Sequence, residues 1–149
     1  DLVAIDLSPE ALRVARRNAR RHDVDGRIRF LCGDLCAPLH SLRCGAVLCN
    51  PPYIRTDELA DLQPEVRDHE PRLALDGGPD GLDVIRRIAA TILPHMAPAA
   101  QLFLEVGAGQ ADVVAQLILG SGFDGVEIRN DLAGIPRLVI ATSPAPPRG

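Results

Sequence analysis

The sequence is 149 residues long, one domain's worth of chain, enough to bury a core and too short for two cores. Only 3% of residues are aromatic against 46% hydrophobic, so the core must be aliphatic; every one of the 16 basic residues is arginine. The net charge of −4, with the arginines scattered along the chain, argues against the basic stripe that a phosphate-backbone binder carries.

The chain opens with "DLVAID", an apolar, β-rich run ending in an acid. "SPEALRVARRNARRH" then predicts a helix, with Ser8 as N-cap, Pro9 at the first helical position and Glu10 in the first turn. Ala11, Leu12, Ala15 and Ala19 mark its buried face at helical spacing, and the arginines mark the wet face. "RIRFLCGD" reads as a second strand ending in an acid, and "GAVLCN" as a third that ends at two prolines. Residues 54–79 form a long, polar connection bearing proline and glycine. "DGLDVIRRIAATIL" predicts a helix with Leu82, Ile85, Ile88, Ala89 and Ile92 inward, stopped near Pro94. "AQLFLEVG" is a strand, "QADVVAQLILGSGF" a helix, and "VEIRND" and "RLVIAT" a pair of terminal strands joined by "LAGIP". The tail from Ser143 to Gly149, "SPAPPRG", is expected to be disordered.

Cys32, Cys36, Cys44 and Cys49 lack the C-x-x-C spacing and the nearby histidine pair that a zinc or disulfide framework wants. Most lie within or beside apolar runs, so they read as reduced and buried, and no metal site is expected. No signal peptide and no long apolar span is visible, which makes the cytoplasm the default expectation. The chain opens inside a strand and its only methionine is Met96, so it reads as part of a longer protein.

Strands alternating with helices imply an α/β fold, a parallel sheet covered by helices on both faces. Ligands of such sheets bind outside the carboxyl ends of the strands. Asp6, Asp34 and Asn50-Pro51-Pro52-Tyr53 all fall at strand ends and are expected on one rim. A carboxylate such as Asp6 offers two acceptors to the hydroxyl pair of a ribose; the competing reading is a charge that helps the following helix. Asp34 can accept from an exocyclic purine amine, with Leu35 covering the ring face, or can be an ordinary turn aspartate.

"NPPY" is the more specific signal. An amide nitrogen is a poor nucleophile, so a site that alkylates one needs fixed acceptors for its hydrogens and a flat wall to hold its plane. Asn50 supplies a side-chain carbonyl, and the Pro51 backbone carbonyl supplies a second acceptor. Pro52 stiffens the turn and Tyr53 gives the wall, so little entropy is lost on docking.

These residues carry a resemblance. "NPPY" after a strand is similar to the motif of S-adenosylmethionine-dependent methyltransferases that modify planar NH2 groups. "VAIDLSPEALRVARRNA", "GDL", "NPPYI", "EVRDHEPRLALDGGPDGLDVIRRI", "LEVGAGQ" and "RNDLAGIPRLVIA" follow the order seen in bacterial peptide chain release factor glutamine methyltransferases. The resemblance implies a Rossmann-like class I methyltransferase sheet. The implied activity is methyl transfer from S-adenosyl-L-methionine to the glutamine amide of the Gly-Gly-Gln motif in class 1 peptide chain release factors. It further implies that Asn50 and the Pro51 carbonyl hold the amide, that Tyr53 packs on it, and that Asp6, Leu35 and Asn50 touch the cofactor. Relatives often carry an aromatic residue at the position of Leu35, which implies weaker stacking on adenine here.

The first strand and glycine-rich loop of that family would precede "DLVAID" and are absent, so residues 1–142 are expected to be a partial catalytic domain, its carboxyl-terminal portion, inactive alone. Two neighbouring strands would then lack a partner and expose their edges. "EVGAGQ", residues 105–110, reads as a strand-to-helix turn; a displaced glycine-rich cofactor loop would require a permuted strand order. Glu70-Pro71 and Gly77-Gly78 close the 54–79 connection, either as a flap shaping the entry for the glutamine or as a solvated surface loop. The alternatives are an N6-adenine or ribosomal-RNA methyltransferase, which predicts a basic face and extra aromatics, and a non-catalytic Rossmann-like interaction module.

Overall fold

The computed structural model describes residues 2–146, so Asp1 and the tail residues 147–149 lie outside it. The chain forms two compact units, Asp1–Leu42 and Arg43–Gly149.

In the first unit, strand β1 (Leu2–Asp6) pairs in parallel with β2 (Ile28–Cys32), and helix α1 (Pro9–Arg21) packs on both. Ser8 caps α1 as its position predicts: its hydroxyl accepts the Ala11 N–H at 3.2 Å, and Pro9 needs no donor there. Leu12 and Ala19 are buried and Ala15 is half-buried, but Ala11 is exposed. Ala11 sits in the first turn, where the helix has only begun to turn its apolar stripe inward.

The second unit holds β3 (Cys44–Cys49), β4 (Met96–Glu105), β5 (Gly125–Asn130) and β6 (Pro136–Thr142) in the order β3-β4-β6-β5. β3 and β4 are parallel, while β6 runs antiparallel to both β4 and β5, so the sheet is mixed rather than parallel. The cause is local. Only 131–135 connect β5 to β6, and a connection that short permits a hairpin and not a crossover. Helices α4 (Asp83–Thr91) and α5 (Ala111–Gly120) touch one another, and α5 packs on β5 and β6. The inward set of α4 is as the spacing predicts, with Leu82, Ile85, Ile88, Ala89 and Ile92 all buried. Leu102, Leu104, Val106, Val114, Ile118 and Val139 complete an aliphatic core.

The 54–79 connection is not irregular throughout. It carries two single-turn helices, α2 (Pro64–Arg67) and α3 (Arg72–Leu75), and a 3-10 segment at Thr56–Asp61. A bulge interrupts β4, where Ala99 adopts φ 56° and the register shifts. Ser143 secures it: the Ser143 hydroxyl accepts the Ala100 N–H at 2.9 Å and donates to the Ala97 carbonyl at 2.7 Å. Ser143 is therefore buried, and the chain is tied to the sheet past the point where disorder was expected to begin.

Among the described residues β1 pairs only with β2 and β3 only with β4, so each has one edge without a strand partner. On β3, Leu48 is 80% exposed. None of the four cysteines is in a disulfide, and only Cys36 is buried; Cys32, at the end of β2, is exposed, and Cys44 and Cys49 are half-exposed because β3 is an edge strand. Among the described residues, no helix is long and apolar enough to cross a membrane.

Candidate active site

The candidate residues form two groups, one in each unit. In the first, the parallel register aligns Asp6 with Cys32, so Asp6 and the turn after β2 lie at the same end of the sheet. Asp6 is exposed, and its Oδ1 accepts the Ser8 N–H at 2.7 Å, so the carboxylate does help start α1. Its Oδ2 takes no hydrogen bond among the described residues. The Gly33 N–H donates to the Asp6 carbonyl at 3.1 Å, which fixes where the next turn leaves the sheet. Asp34 follows, half-buried, and its carbonyl accepts the Ala37 N–H. Leu35 adopts φ 46°, a left-handed conformation that costs a branched side chain energy and that clusters at functional positions.

In the second unit, β3 delivers Asn50-Pro51-Pro52-Tyr53 directly from its carboxyl end. Asn50 is exposed, Pro51 is buried, and Pro52 and Tyr53 are half-buried. Among the described residues, no hydrogen bond reaches the Asn50 side chain or the Pro51 carbonyl. The turn therefore presents two unspent acceptors on a rigid frame. The Tyr53 carbonyl, by contrast, accepts from Gln110 Nε2 at 3.0 Å.

The chain beyond Tyr53 is pinned to the far end of the 54–79 connection. Ile54 N–H donates to the Leu75 carbonyl at 3.0 Å, Gly77 N–H to the Ile54 carbonyl at 2.8 Å, and Thr56 N–H to the Gly78 carbonyl at 3.0 Å. The Asp76 carboxylate gathers this neck. It accepts the Thr56 hydroxyl at 2.7 Å, the Gly78 N–H at 3.0 Å and the Arg72 guanidinium at 3.1 Å. Those donors, Thr56 foremost, hold Asp76 below the usual carboxylate range. The excursion is closed on itself like a loop with a stapled neck, and α3 is brought beside the proline turn. Asn50, Pro51, Tyr53, Ile54, Glu70, Ala74 and Leu75 line a cavity of about 300 Å³. That is the low end of the range for small-molecule sites.

The residues that sequence reasoning missed surround Tyr53. "EVGAGQ" is a turn between β4 and α5, as expected, but it also meets the proline turn through Gln110. Gly107 leaves space for the tyrosine ring, since a Cβ there would lie 3.2 Å from Tyr53 Cδ2. Gly81, at φ 75°, passes so close that a Cβ would lie 2.4 Å from the Tyr53 carbonyl oxygen. One signal was available. A glutamine stands immediately before α5, where Ser, Thr, Asp or Asn ordinarily caps a helix, and its side chain is used elsewhere.

Comparison with known proteins points to methyltransferases. The family described as "RMKL-like, methyltransferase domain" matches residues 1–63. Release factor glutamine methyltransferases from Cereibacter sphaeroides, Gloeobacter violaceus and Thermodesulfovibrio yellowstonii are 46%, 45% and 38% identical over 96%, 92% and 93% of this chain. The chain spans about half the length of these relatives, 51%, 48% and 50% in the same order. Among solved structures, a methyltransferase from Pyrococcus furiosus shares the fold, with a TM-score of 0.69 at 14% identity, over 95% of this chain and 62% of that one. The release-factor-specific protein-(glutamine-N5) methyltransferase from Alicyclobacillus acidocaldarius matches at 26% identity with a TM-score of 0.52, over 96% of this chain and 79% of that one. Along nearly all of its own length, and about half of theirs, the chain is similar to release factor glutamine methyltransferases, and it shares its fold with solved methyltransferases.

Proposed function

We propose that this chain carries the amide-binding part of a methyltransferase. It acts on the side-chain nitrogen of the glutamine in the Gly-Gly-Gln motif of class 1 peptide chain release factors, with S-adenosyl-L-methionine as donor. The observation that carries the reading is the pair of unspent acceptors, Asn50 Oδ1 and the Pro51 carbonyl, on a turn that lines a small cavity. A primary amide has two N–H donors, and these two acceptors match them. Tyr53 supplies the flat wall and Pro52 holds the turn stiff, so the substrate nitrogen is oriented at small entropic cost. Acceptors on the amide hydrogens favour positive charge developing at nitrogen, which is electrostatic stabilisation in place of a strong base.

The first unit offers a set of groups that fits the cofactor. Asp6 Oδ2 is unspent and suits a ribose hydroxyl, Asp34 suits a purine amine, and Leu35 is held in a strained turn where it covers the ring face. When bound, S-adenosyl-L-methionine supplies an electrophilic methyl group on a sulfonium; the residues named here bind and orient.

Because the chain spans about half of its relatives, the assay uses a chimera in which it replaces the matching half of the Cereibacter sphaeroides enzyme. Incubation with S-adenosyl-L-methionine and a release factor, followed by peptide mass spectrometry, is expected to show a one-methyl gain on the Gly-Gly-Gln glutamine. Methyl appearing in added RNA or DNA instead would overturn the substrate.

A further inference from the structure

We propose that Gln110 is a positioning residue for the Asn50–Tyr53 turn, its carboxamide fixing the Tyr53 carbonyl and with it the frame that presents the Asn50 amide and the Pro51 carbonyl. The inference rests on the reading of that turn as an amide-binding site. Gln110 is half-buried and uses both ends of its amide. Its Oε1 accepts the Gly107 N–H at 2.9 Å and its Nε2 donates to the Tyr53 carbonyl at 3.0 Å, with the Gly81 carbonyl at 3.5 Å. The orientation of the amide is therefore determined. A flip would set its oxygen against the Tyr53 carbonyl and its nitrogen against the Gly107 N–H, two repulsive pairings in place of two attractive ones.

The surroundings leave no slack. A Cβ at Gly81 would lie 2.6 Å from Gln110 Nε2, and one at Gly107 would lie 2.8 Å from Gln110 Oε1. Two glycines thus make room for one glutamine, which joins the exit of β4 to the exit of β3. Asparagine is one methylene too short for that span. Glutamate has the length and can still accept from Gly107, but its ionised carboxylate has no hydrogen to give Tyr53. Gln110 also occupies the Tyr53 carbonyl, which is thereby withdrawn from the acceptors of the turn.

The test uses a property of the composition. The sequence has one tyrosine and no tryptophan, so the tyrosine near-ultraviolet circular dichroism and emission of this chain come from Tyr53 alone. Gln110→Glu at pH 7.5 is expected to lose the tyrosine dichroic band and to expose the emission to acrylamide quenching, while the far-ultraviolet spectrum is retained. Lowering the pH should restore both signals as the new carboxyl takes up the proton it needs to donate. Its midpoint should lie above about 4.3, because the facing carbonyl disfavours the ionised form. Gln110→Ala should lose the band and show no recovery in acid. A wild-type tyrosine signal in both variants, or a Gln110→Glu signal indifferent to pH, would overturn the proposal. Neither readout requires methyl transfer, so failure of the positioning role and failure of the substrate assignment are separately visible.

Discussion

Replacing Gly81 with alanine tests how tightly the turn is held. Gly81 sits at φ 75°, and an added Cβ would lie 2.4 Å from the Tyr53 carbonyl oxygen and 2.6 Å from Gln110 Nε2. The left-handed backbone costs an L-residue about 1–2 kcal/mol. Forcing a methyl against atoms that cannot yield costs about 1–3 kcal/mol more. Stiffening the unfolded chain returns about 0.4–1 kcal/mol. The net loss is roughly 2–4 kcal/mol, which for a chain of this size lowers Tm by roughly 5–15 °C. Gly134 provides the control: it has φ 82° and nothing within 4 Å of its would-be Cβ. Gly134→Ala therefore loses the backbone cost alone, a net of about 1 kcal/mol or less. Thermal and urea unfolding of both variants, followed by far-ultraviolet circular dichroism, gives the difference. Equal losses for the two variants would refute the claim that crowding around Tyr53 holds the site together.

Ser143→Ala should cost about 1–3 kcal/mol, because it leaves the buried Ala100 N–H without its acceptor; a urea midpoint shifted at constant slope checks this. Asn50→Ala should leave unfolding unchanged, since the side chain is exposed and makes no hydrogen bond among the described residues, yet abolish the methyl gain in the chimera. The Asp80 carboxyl is lowered to about 2, chiefly by its hydrogen bond from Arg86. A depressed folded value stabilises above the unfolded pKa of about 3.9 and is lost as pH falls toward 2. Carboxyl NMR titration should find that midpoint, and Arg86→Gln should move it back up.

The elements readable from the sequence were those governed by local rules. The α4 face followed helical spacing, Ser8 capped α1, and the strand ended where two prolines cannot continue a ladder. Long-range pairings were not readable. Gln110 and Tyr53 are far apart in sequence, and nothing in "EVGAGQ" or "NPPY" states that one amide joins them. The 54–79 connection looked structureless because its order comes from Asp76 collecting donors across the neck, not from periodicity. The insertion of β6 between β4 and β5 likewise follows from a short hairpin whose strand had no reason, locally, to choose that neighbour.

The open flanks of β1 and β3 give the chain a chemistry of its own in solution. A strand flank with free amide and carbonyl groups accepts any extended segment of compatible pleat, copies of itself included. Leu48, 80% exposed on β3, adds an apolar handle to that flank. Concentration thus becomes a variable to control: an unfolding midpoint or spectrum that moves with dilution would mark pairing at these flanks.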